Sequence, residues 1–254
     1  MSLLDQFQLL GKTALVTGAS AGIGAAVAIA LAEAGADVIC HGNTRPAEHT
    51  CEAIKRLGRQ AFALQADLAQ PGAAVDLFER ACQHALPDIL VNNAGTIRRA
   101  NAIDYTDEDW DTVLQVNLNS LWKLSQRMGR ALIEGKRPGK IINLASLLAF
   151  QGGITVPAYA ASKGAVAQLT KALANEWAGH GINANAIAPG YIRTDNTLAL
   201  QQNETRNRQI LERIPAGRWG EPSDIAAAAV FLAAPASDYI HGHILLVDGG
   251  WMGR

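Results

Sequence analysis

The sequence predicts an α/β domain in which a doubly wound parallel sheet is covered by helices on both faces. Short β-rich runs alternate with longer helical segments along the whole chain, and no linker or internal repeat interrupts them. The 254 residues fit one large domain, and 49% hydrophobic residues suffice for a sizeable core. Strands separated by helices imply right-handed crossovers, and therefore parallel pairing.

Seven strands are expected from short apolar runs. They cover residues 13–17, 37–40, 61–65, 89–91, 140–144, 183–187 and 244–247. The helices are expected in the longer segments between them. These cover residues 22–34, 47–57, 73–85, 107–134, 157–178 and 222–232. The polar segment 191–218 is the least regular, and it is either a mobile substrate lid or a plain solvated excursion.

Local signals mark several helix boundaries. Glycines after the first run open an Ala-rich helix, and Gly58 follows the second helix. Pro87 follows the third helix, and Thr106 is placed as an N-cap with Asp109 three residues on. These signals agree with the alternation, so we read residues 1–254 as one domain.

Composition excludes several classes of function. The net charge of −1 suggests no nucleic acid or acidic membrane partner, and no apolar run approaches the length of a membrane span. The first ten residues lack the pattern of a secretory signal, and the three cysteines have no disulfide or zinc spacing. We therefore expect a cytoplasmic protein without a metal site.

A glycine-rich turn follows the first predicted strand. Gly18, Gly22 and Gly24 would let the backbone turn tightly and approach a pyrophosphate. The next helix would offer the free N–H groups of its first turn, with Ser20 and Ile23 beside them. In an alternating chain this placement favours a dinucleotide site, although an ordinary βα turn can also be glycine-rich.

Tyr159 and Lys163 stand four residues apart, which is about one helical turn. A cation beside a phenol favours phenolate and lowers the pKa of the tyrosine towards the working range. Ser146 could hydrogen-bond the same substrate oxygen. The three residues are suited to moving a proton at an alcohol or ketone, although the isolated spacing also arises from a half-buried tyrosine and a solvated lysine.

Taken jointly, these motifs resemble the short-chain dehydrogenase/reductase family from about residue 11 to residue 250. The matching positions occur in the family's order and separation. They are 17–24, Asp67-Leu68, 92–95, Asn117, Ser146, Tyr159 with Lys163, Pro189-Gly190, Thr194 and 248–250. The resemblance implies seven strands in the order 3-2-1-4-5-6-7, a homotetramer, and catalysis by the serine, tyrosine and lysine.

The resemblance also implies roles for the remaining positions. Asp67, with Leu68, is expected at the adenine, and Asn93, Ala94 and Gly95 are expected to line the cofactor. Pro189, Gly190, Ile192 and Thr194 would hold the nicotinamide carboxamide. Tyr159 would move the proton, and Lys163 would also contact the nicotinamide ribose. Asn117 would help to organise a proton-relay water, and its place inside a helix suggests a distorted backbone.

The choice between NAD and NADP is open. Gly42 stands where NAD-specific sites usually carry Asp or Glu, so Asn43 or Arg45 could bind a 2′-phosphate. Ala21, however, stands where NADP-preferring relatives often carry a basic residue. Arg45 could equally be a solvated residue. We therefore expect NAD(P), with NADP slightly favoured locally and NAD favoured by the subfamily described next.

Further segments resemble bacterial sugar-acid dehydrogenases that act on 2-deoxygluconate, keto-deoxygluconate or gluconate. These segments are 96–99, 150–153, 188–191, 214–220 and 248–251. A guanidinium suits the carboxylate of a sugar acid, so Arg98 and Arg99 are candidate substrate ligands, unless they pair with nearby acidic residues. Gln151 and Tyr191 are candidates for hydroxyl contacts.

Two alternatives stay open. A 3-oxoacyl-carrier-protein reductase would share the catalytic set, and Arg127 and Arg130 could dock an acidic carrier. A non-catalytic dinucleotide-binding sensor is less consistent with the sequence, because the serine, tyrosine and lysine are all present.

Overall fold

Seven parallel strands form one sheet, in the order β3-β2-β1-β4-β5-β6-β7, in the computed structural model, which describes residues 2–254. Every neighbouring pair of strands is parallel. The strands are β1 Thr13–Val16, β2 Asp37–Gly42, β3 Ala61–Gln65, β4 Ile89–Asn92, β5 Gly139–Leu144, β6 Ile182–Pro189 and β7 Ile244–Val247. The fold class and the strand order expected from the sequence are therefore confirmed.

Helices cover both faces of the sheet. They are α1 Gly22–Glu33, α2 Glu48–Arg56, α3 Ala73–His84, α4 Asp107–Leu114, α5 Ser120–Glu134, α6 Pro157–Trp177, α7 Leu198–Gln202, α8 Glu204–Arg213 and α9 Pro222–Ala233. Val16 packs in the core layer of α1, α2 and α9, whereas Leu15 packs in the layer of α3, α5 and α6. Successive strand residues thus alternate between two cores, as expected for a strand buried on both faces.

The structure differs from the sequence prediction at two places. The expected helix 107–134 is interrupted by a π-helical turn at Gln115–Asn119, with Asn117 buried inside it. Such turns are often found at functional sites. The segment 191–218 is not irregular, because it contains α7 and α8, with Ile210 and Ile214 buried against an aromatic cluster.

The sheet order places the carboxyl ends of the strands at one edge, where the loops after β1 and β4 diverge. A ligand crevice is expected at that point of an open parallel sheet. Among residues 2–254, none of the helices combines the length and apolarity needed to cross a bilayer. The same residues contain no group of three or more His, Cys, Asp or Glu side chains placed to hold a metal ion.

Candidate active site

The glycine turn after β1 is fixed by close backbone packing. Gly18 has a φ of +66°, in the left-handed region that favours glycine. A Cβ on Gly24 would lie 2.1 Å from the Gly18 carbonyl oxygen and 2.4 Å from Asn93 Nδ2. Asn93 Nδ2 donates to the carbonyls of Thr17 and Gly18, at 2.9 and 3.1 Å. The turn can therefore form only with glycine at position 24, and Asn93 joins it to β4.

The N-terminus of α1 is free to receive an anion. Its N-cap residue, Ala21, has no capping side chain, and the first turn carries no acidic residue. By contrast, α4 begins with a Thr106 cap and three acidic residues. Uncapped N–H groups and the positive end of the helix dipole suit a phosphate. The residues of this turn therefore fit the pyrophosphate of a dinucleotide, with Ser20 and Ile23 in the same segment.

His41 supports this turn, although the sequence analysis did not identify it. Its ring is buried at the end of β2, where Nδ1 accepts from the Gly18 N–H at 3.2 Å and Nε2 lies 3.0 Å from the Ala66 carbonyl. This arrangement requires the neutral tautomer with the proton on Nε2. Burial lowers the pKa of His41, and the charge of Arg80 adds to this effect. The available sequence signal was one polar residue ending an apolar strand.

A group of polar side chains lies beyond the carboxyl ends of β2 and β3. Asn43 Nδ2 donates to Asp67 Oδ1 at 3.4 Å, and hydrogen bonds from Gln70, from the Ala69 N–H and from Asn43 lower the pKa of Asp67. Arg45 lies on the same side and pairs with Asp195. Leu68 is buried in the core layer of α3, α5 and α6.

Tyr159 and Lys163 lie on one face of α6, as their spacing predicts. Lys163 Nζ lies 5.6 Å from the centroid of the Tyr159 ring. The ammonium is almost fully buried and donates to the Leu144 carbonyl at the end of β5. Ser146 follows the same strand, accepts from the Leu148 N–H at 3.2 Å, and lies close enough to the phenol for its hydroxyl to lower the pKa of Tyr159. The structure thus brings the serine, tyrosine and lysine together.

The protonation of this group differs from the expectation. Burial raises the pKa of Tyr159, and the Ser146 hydrogen bond and the charge of Arg99 only partly oppose it. Burial also lowers the pKa of Lys163 to about 8. The pKa of Tyr159 thus stays above its ordinary value, while the Lys163 ammonium donates to the Leu144 carbonyl. Tyr159 is therefore a protonated phenol at neutral pH, the form that donates a proton to a carbonyl.

Asn117 joins the π-helical turn to two neighbouring elements. Its Oδ1 accepts from the Thr96 N–H at 2.8 Å, and its Nδ2 donates to the Thr96 carbonyl at 3.0 Å. Nδ2 also lies 3.2 Å from Ser162 Oγ on α6. The amide thus fixes the segment after Gly95. It also contacts α6 at Ser162, the residue directly before Lys163.

Arg98 and Arg99 have different surroundings. The Arg98 side chain pairs with Asp109 at 3.3 Å and donates to Thr96 Oγ1 at 3.1 Å. Arg99 is exposed and has no side-chain hydrogen bond or ion pair within residues 2–254, and its charge acts on the Tyr159 phenol. Of these two arginines, Arg99 is therefore the one whose guanidinium is available to an anion near Tyr159.

An aromatic cluster lies under the segment 191–218. The Tyr191 ring lies 4.7 Å from Trp251 and 5.6 Å from Trp219, and the Arg213 guanidinium stacks 4.0 Å from the Trp251 ring. Trp251 Nε1 donates to Gln151 Oε1 at 3.4 Å. Both tryptophans are buried, so the C-terminal tail packs against this segment.

The remaining expected cofactor residues lie at the carboxyl ends of β4 and β6. Ala94 donates its N–H to Thr17 Oγ1 at 3.0 Å, and Pro189 ends β6 with Gly190 directly after it. Ile192 is buried, and a Cβ on Gly22 would lie 3.4 Å from Thr194 Cγ2. The segment after β6 therefore extends to the glycine turn, as a dinucleotide lying across the sheet edge would require.

Several known proteins are similar to this chain along almost its whole length. A family model described as Enoyl-(Acyl carrier protein) reductase matches residues 18–252. The chain is 54% identical over 250 residues to 2-dehydro-3-deoxy-D-gluconate 5-dehydrogenase of Bacillus subtilis, covering 98% of each chain. It is 48% identical to the Escherichia coli protein of the same name, covering 99% of this chain and 100% of that one. A crystal structure from Agrobacterium tumefaciens with bound NADP, described as a 2-deoxy-D-gluconate 3-dehydrogenase, is 55% identical, with a TM-score of 0.93 over 98% of this chain and 99% of that chain.

Proposed function

We propose that this chain, which belongs to the short-chain dehydrogenase/reductase family, interconverts the 5-hydroxyl and the 5-ketone of 2-dehydro-3-deoxy-D-gluconate with NAD(P). Relatives of that name match almost the full chain, and a solved relative carries NADP. The observation that carries the substrate class is the free Arg99 guanidinium beside the catalytic phenol, since a sugar acid brings a carboxylate.

The chain's own residues supply the proton chemistry. In the direction of reduction, Ser146 holds the substrate carbonyl oxygen and Tyr159 donates its proton to that oxygen. In the direction of oxidation, Tyr159 acts as the phenolate, which has lost its proton to solvent, and its oxygen accepts the proton of the substrate hydroxyl. Nicotinamide, when bound, supplies or accepts the hydride at the substrate carbon.

The buried lysine and asparagine support this step. Lys163 holds its ammonium between the end of β5 and the Tyr159 ring, where it favours negative charge on the phenol oxygen as the proton leaves. Asn117 fixes the segment after β4 that carries Arg99. We assign the cofactor positions to Gly18, Ser20, Gly22, Ile23, Gly24, Asn43, Arg45, Asp67, Leu68, Asn93, Ala94, Gly95, Tyr159, Lys163, Pro189, Gly190, Ile192 and Thr194.

Replacing Tyr159 with Phe tests the catalytic assignment. The variant keeps the packing of the ring but loses the transferable proton, so we expect turnover to fall about 10²- to 10⁴-fold. NADPH binding, measured by nicotinamide fluorescence, should stay within twofold. Turnover near that of the native enzyme would refute the assignment.

The two neighbouring arginines provide a matched test of the carboxylate site. Arg99→Ala should raise the KM for 2-dehydro-3-deoxy-D-gluconate at least tenfold, because a charge-assisted contact is lost. Arg98→Ala should change it little, because that guanidinium is bound by Asp109 and Thr96. Equal effects of the two changes would remove Arg99 from the site.

A substrate panel separates this function from the alternatives. The chain should reduce or oxidise sugar acids with a far higher kcat/KM than an acetoacetyl thioester, run with both NADH and NADPH. Preference for the thioester would support a carrier-protein reductase. Binding of dinucleotide without turnover of any member would support a sensor.

We also propose that the chain forms a homotetramer in the cytoplasm, with 191–218 as a mobile substrate lid. The edge strand β7 leaves Leu246 39% exposed, which is consistent with a subunit interface there. Light scattering after size exclusion tests the assembly, and fractionation of cells tests the location. Hydrogen exchange with and without substrate tests the lid.

A further inference from the structure

One ion pair bridges the two sides of the dinucleotide crevice. Arg45 Nη1, just after β2, lies 3.1 Å from Asp195 Oδ2, just after β6, although the residues are 150 positions apart. Both side chains are exposed, at 62% and 76%. The pair is thus free to exchange partners with a ligand in solution.

The backbone after β2 explains why no acidic residue selects NAD at that position. A Cβ on Gly42 would lie 2.4 Å from the Arg45 carbonyl oxygen and 3.2 Å from the Ala47 nitrogen. A carboxylate at position 42 is therefore excluded by the fold of the loop 43–47. The side chains that face a 2′-phosphate beside β2 must therefore come from residues other than position 42. Arg45 is the arginine or lysine nearest to Gly42 in sequence.

Asp195 pairs with Arg45 and therefore competes with a phosphate for its guanidinium. It follows Thr194, whose methyl group lies against Gly22 of the phosphate turn. A carboxylate at this point occupies the guanidinium and adds a like charge near a 2′-phosphate. NAD has a hydroxyl there and meets neither effect.

We propose that Asp195 sets the preference between the two dinucleotides by holding Arg45 and by repelling a 2′-phosphate. Binding of NADP requires Arg45 to leave Asp195, whereas binding of NAD leaves the pair intact. Because coupling is reciprocal, a 2′-phosphate that takes Arg45 also releases the start of the segment 191–218.

Dinucleotide binding without substrate tests this proposal, using the nicotinamide fluorescence of NADPH and NADH. An exposed ion pair is weak and exchanges partners readily, and removal of the carboxylate also removes its repulsion of the 2′-phosphate. We therefore expect Asp195→Asn to tighten NADPH binding about three- to tenfold and to leave NADH within twofold. Arg45→Ala should weaken NADPH binding, and in that background Asp195→Asn should have a smaller effect.

Glu221→Gln is a matched control. It removes another exposed pair of the same region, Arg193–Glu221 at 3.0 Å, which does not involve Arg45. It should leave the ratio of the two affinities unchanged. Weaker NADPH binding in Asp195→Asn, an equal change for both dinucleotides, or no change would overturn the proposal. The inference rests on the dinucleotide part of the proposed function alone, so an incorrect sugar-acid substrate would not alter these titrations.

Discussion

The two halves of the crevice are built differently. On the side that we propose for the dinucleotide, Gly18 and Gly24 lie against Asn93, and the buried His41 accepts a hydrogen bond from the Gly18 N–H. On the substrate side, Arg99 is exposed, and the segment 191–218 rests on Trp219 and the C-terminal Trp251. The first half is fixed by main-chain contacts, and the second by packing of side chains that are distant in sequence.

This difference predicts which properties a substitution in each half will change. Main-chain geometry accepts few substitutions, so the dinucleotide side should lose stability and cofactor affinity together when it is changed. Substitutions in the exposed side chains of the other half should instead change substrate recognition, with little effect on the free energy of unfolding. The four changes below separate these outcomes.

Lys163→Met tests the free-energy cost of burying an ammonium beside Tyr159. The pKa of Lys163 is about 8 in the folded protein, against an ordinary value of 10.5. Below pH 8 both states are protonated and the cost is full, whereas between pH 8 and 10.5 only the unfolded state keeps the proton. The wild type should therefore gain about 3 kcal/mol over Lys163→Met as pH rises through that range.

Chemical denaturation of both proteins between pH 7 and 10.5 measures this difference. Lys163→Met should lose turnover at every pH, because the cation beside Tyr159 is gone. Lys171→Met, on the exposed side of the same helix, is the control and should show no comparable pH-dependent gain. A flat difference for Lys163→Met would mean that its burial carries no such cost.

Gly24→Ala tests the main-chain packing of the glycine turn. The new methyl carbon would overlap the Gly18 carbonyl, so we expect a loss of about 2–3 kcal/mol in the free energy of unfolding. NADPH affinity should fall at least tenfold. Gly152→Ala is the control on the substrate side, where a Cβ meets nothing within 4 Å. Similar losses in both variants would contradict the contrast between the halves.

His41→Phe tests the hydrogen bonds that hold the glycine turn. It leaves the part-buried Gly18 N–H and Ala66 carbonyl without their partner, so we expect a loss of about 1–2 kcal/mol in the free energy of unfolding. NADPH affinity should weaken several-fold, with kcat little changed. Because burial lowers the pKa of His41, its contribution is present above the ordinary pKa of 6.5 and is lost as pH falls below it. The wild type should lose affinity in acid more steeply than the variant. His49→Phe, at an exposed position, should reproduce neither effect.

Sequence patterns predicted the dinucleotide side well, because its parts follow strand ends in order. The glycine turn and the pair Tyr159 with Lys163 are readable from local spacing, whereas the place of Asp67 and the sheet order followed from the resemblance. His41 was missed because its role depends on pairing between β1 and β2, which brings it beside Gly18.

The substrate side was predicted less fully, because its contacts join distant residues. Spacing could not show that Asp109 binds Arg98 and leaves Arg99 free, nor that Asp195 reaches Arg45. The interrupted helix at Asn117 was expected only as a distortion, since a π-helical turn depends on the partners that its side chain finds. The direction of the Tyr159 pKa depended on burial, which the spacing of two residues does not give.

Trp251→Phe should have the smallest effect on stability, below about 1 kcal/mol, because the ring packing is largely kept. The variant loses the Nε1–H that binds Gln151 and part of the surface that Arg213 stacks on. We expect the KM for 2-dehydro-3-deoxy-D-gluconate to rise about two- to threefold, since the loop after Ser146 and the segment 191–218 lose a shared anchor. NADPH affinity should not change.

Trp122→Phe, in the core layer of α5, is the control for a tryptophan remote from this segment, and its KM should match the wild type. A parallel loss of NADPH affinity in Trp251→Phe would show that the C-terminal tail supports both halves.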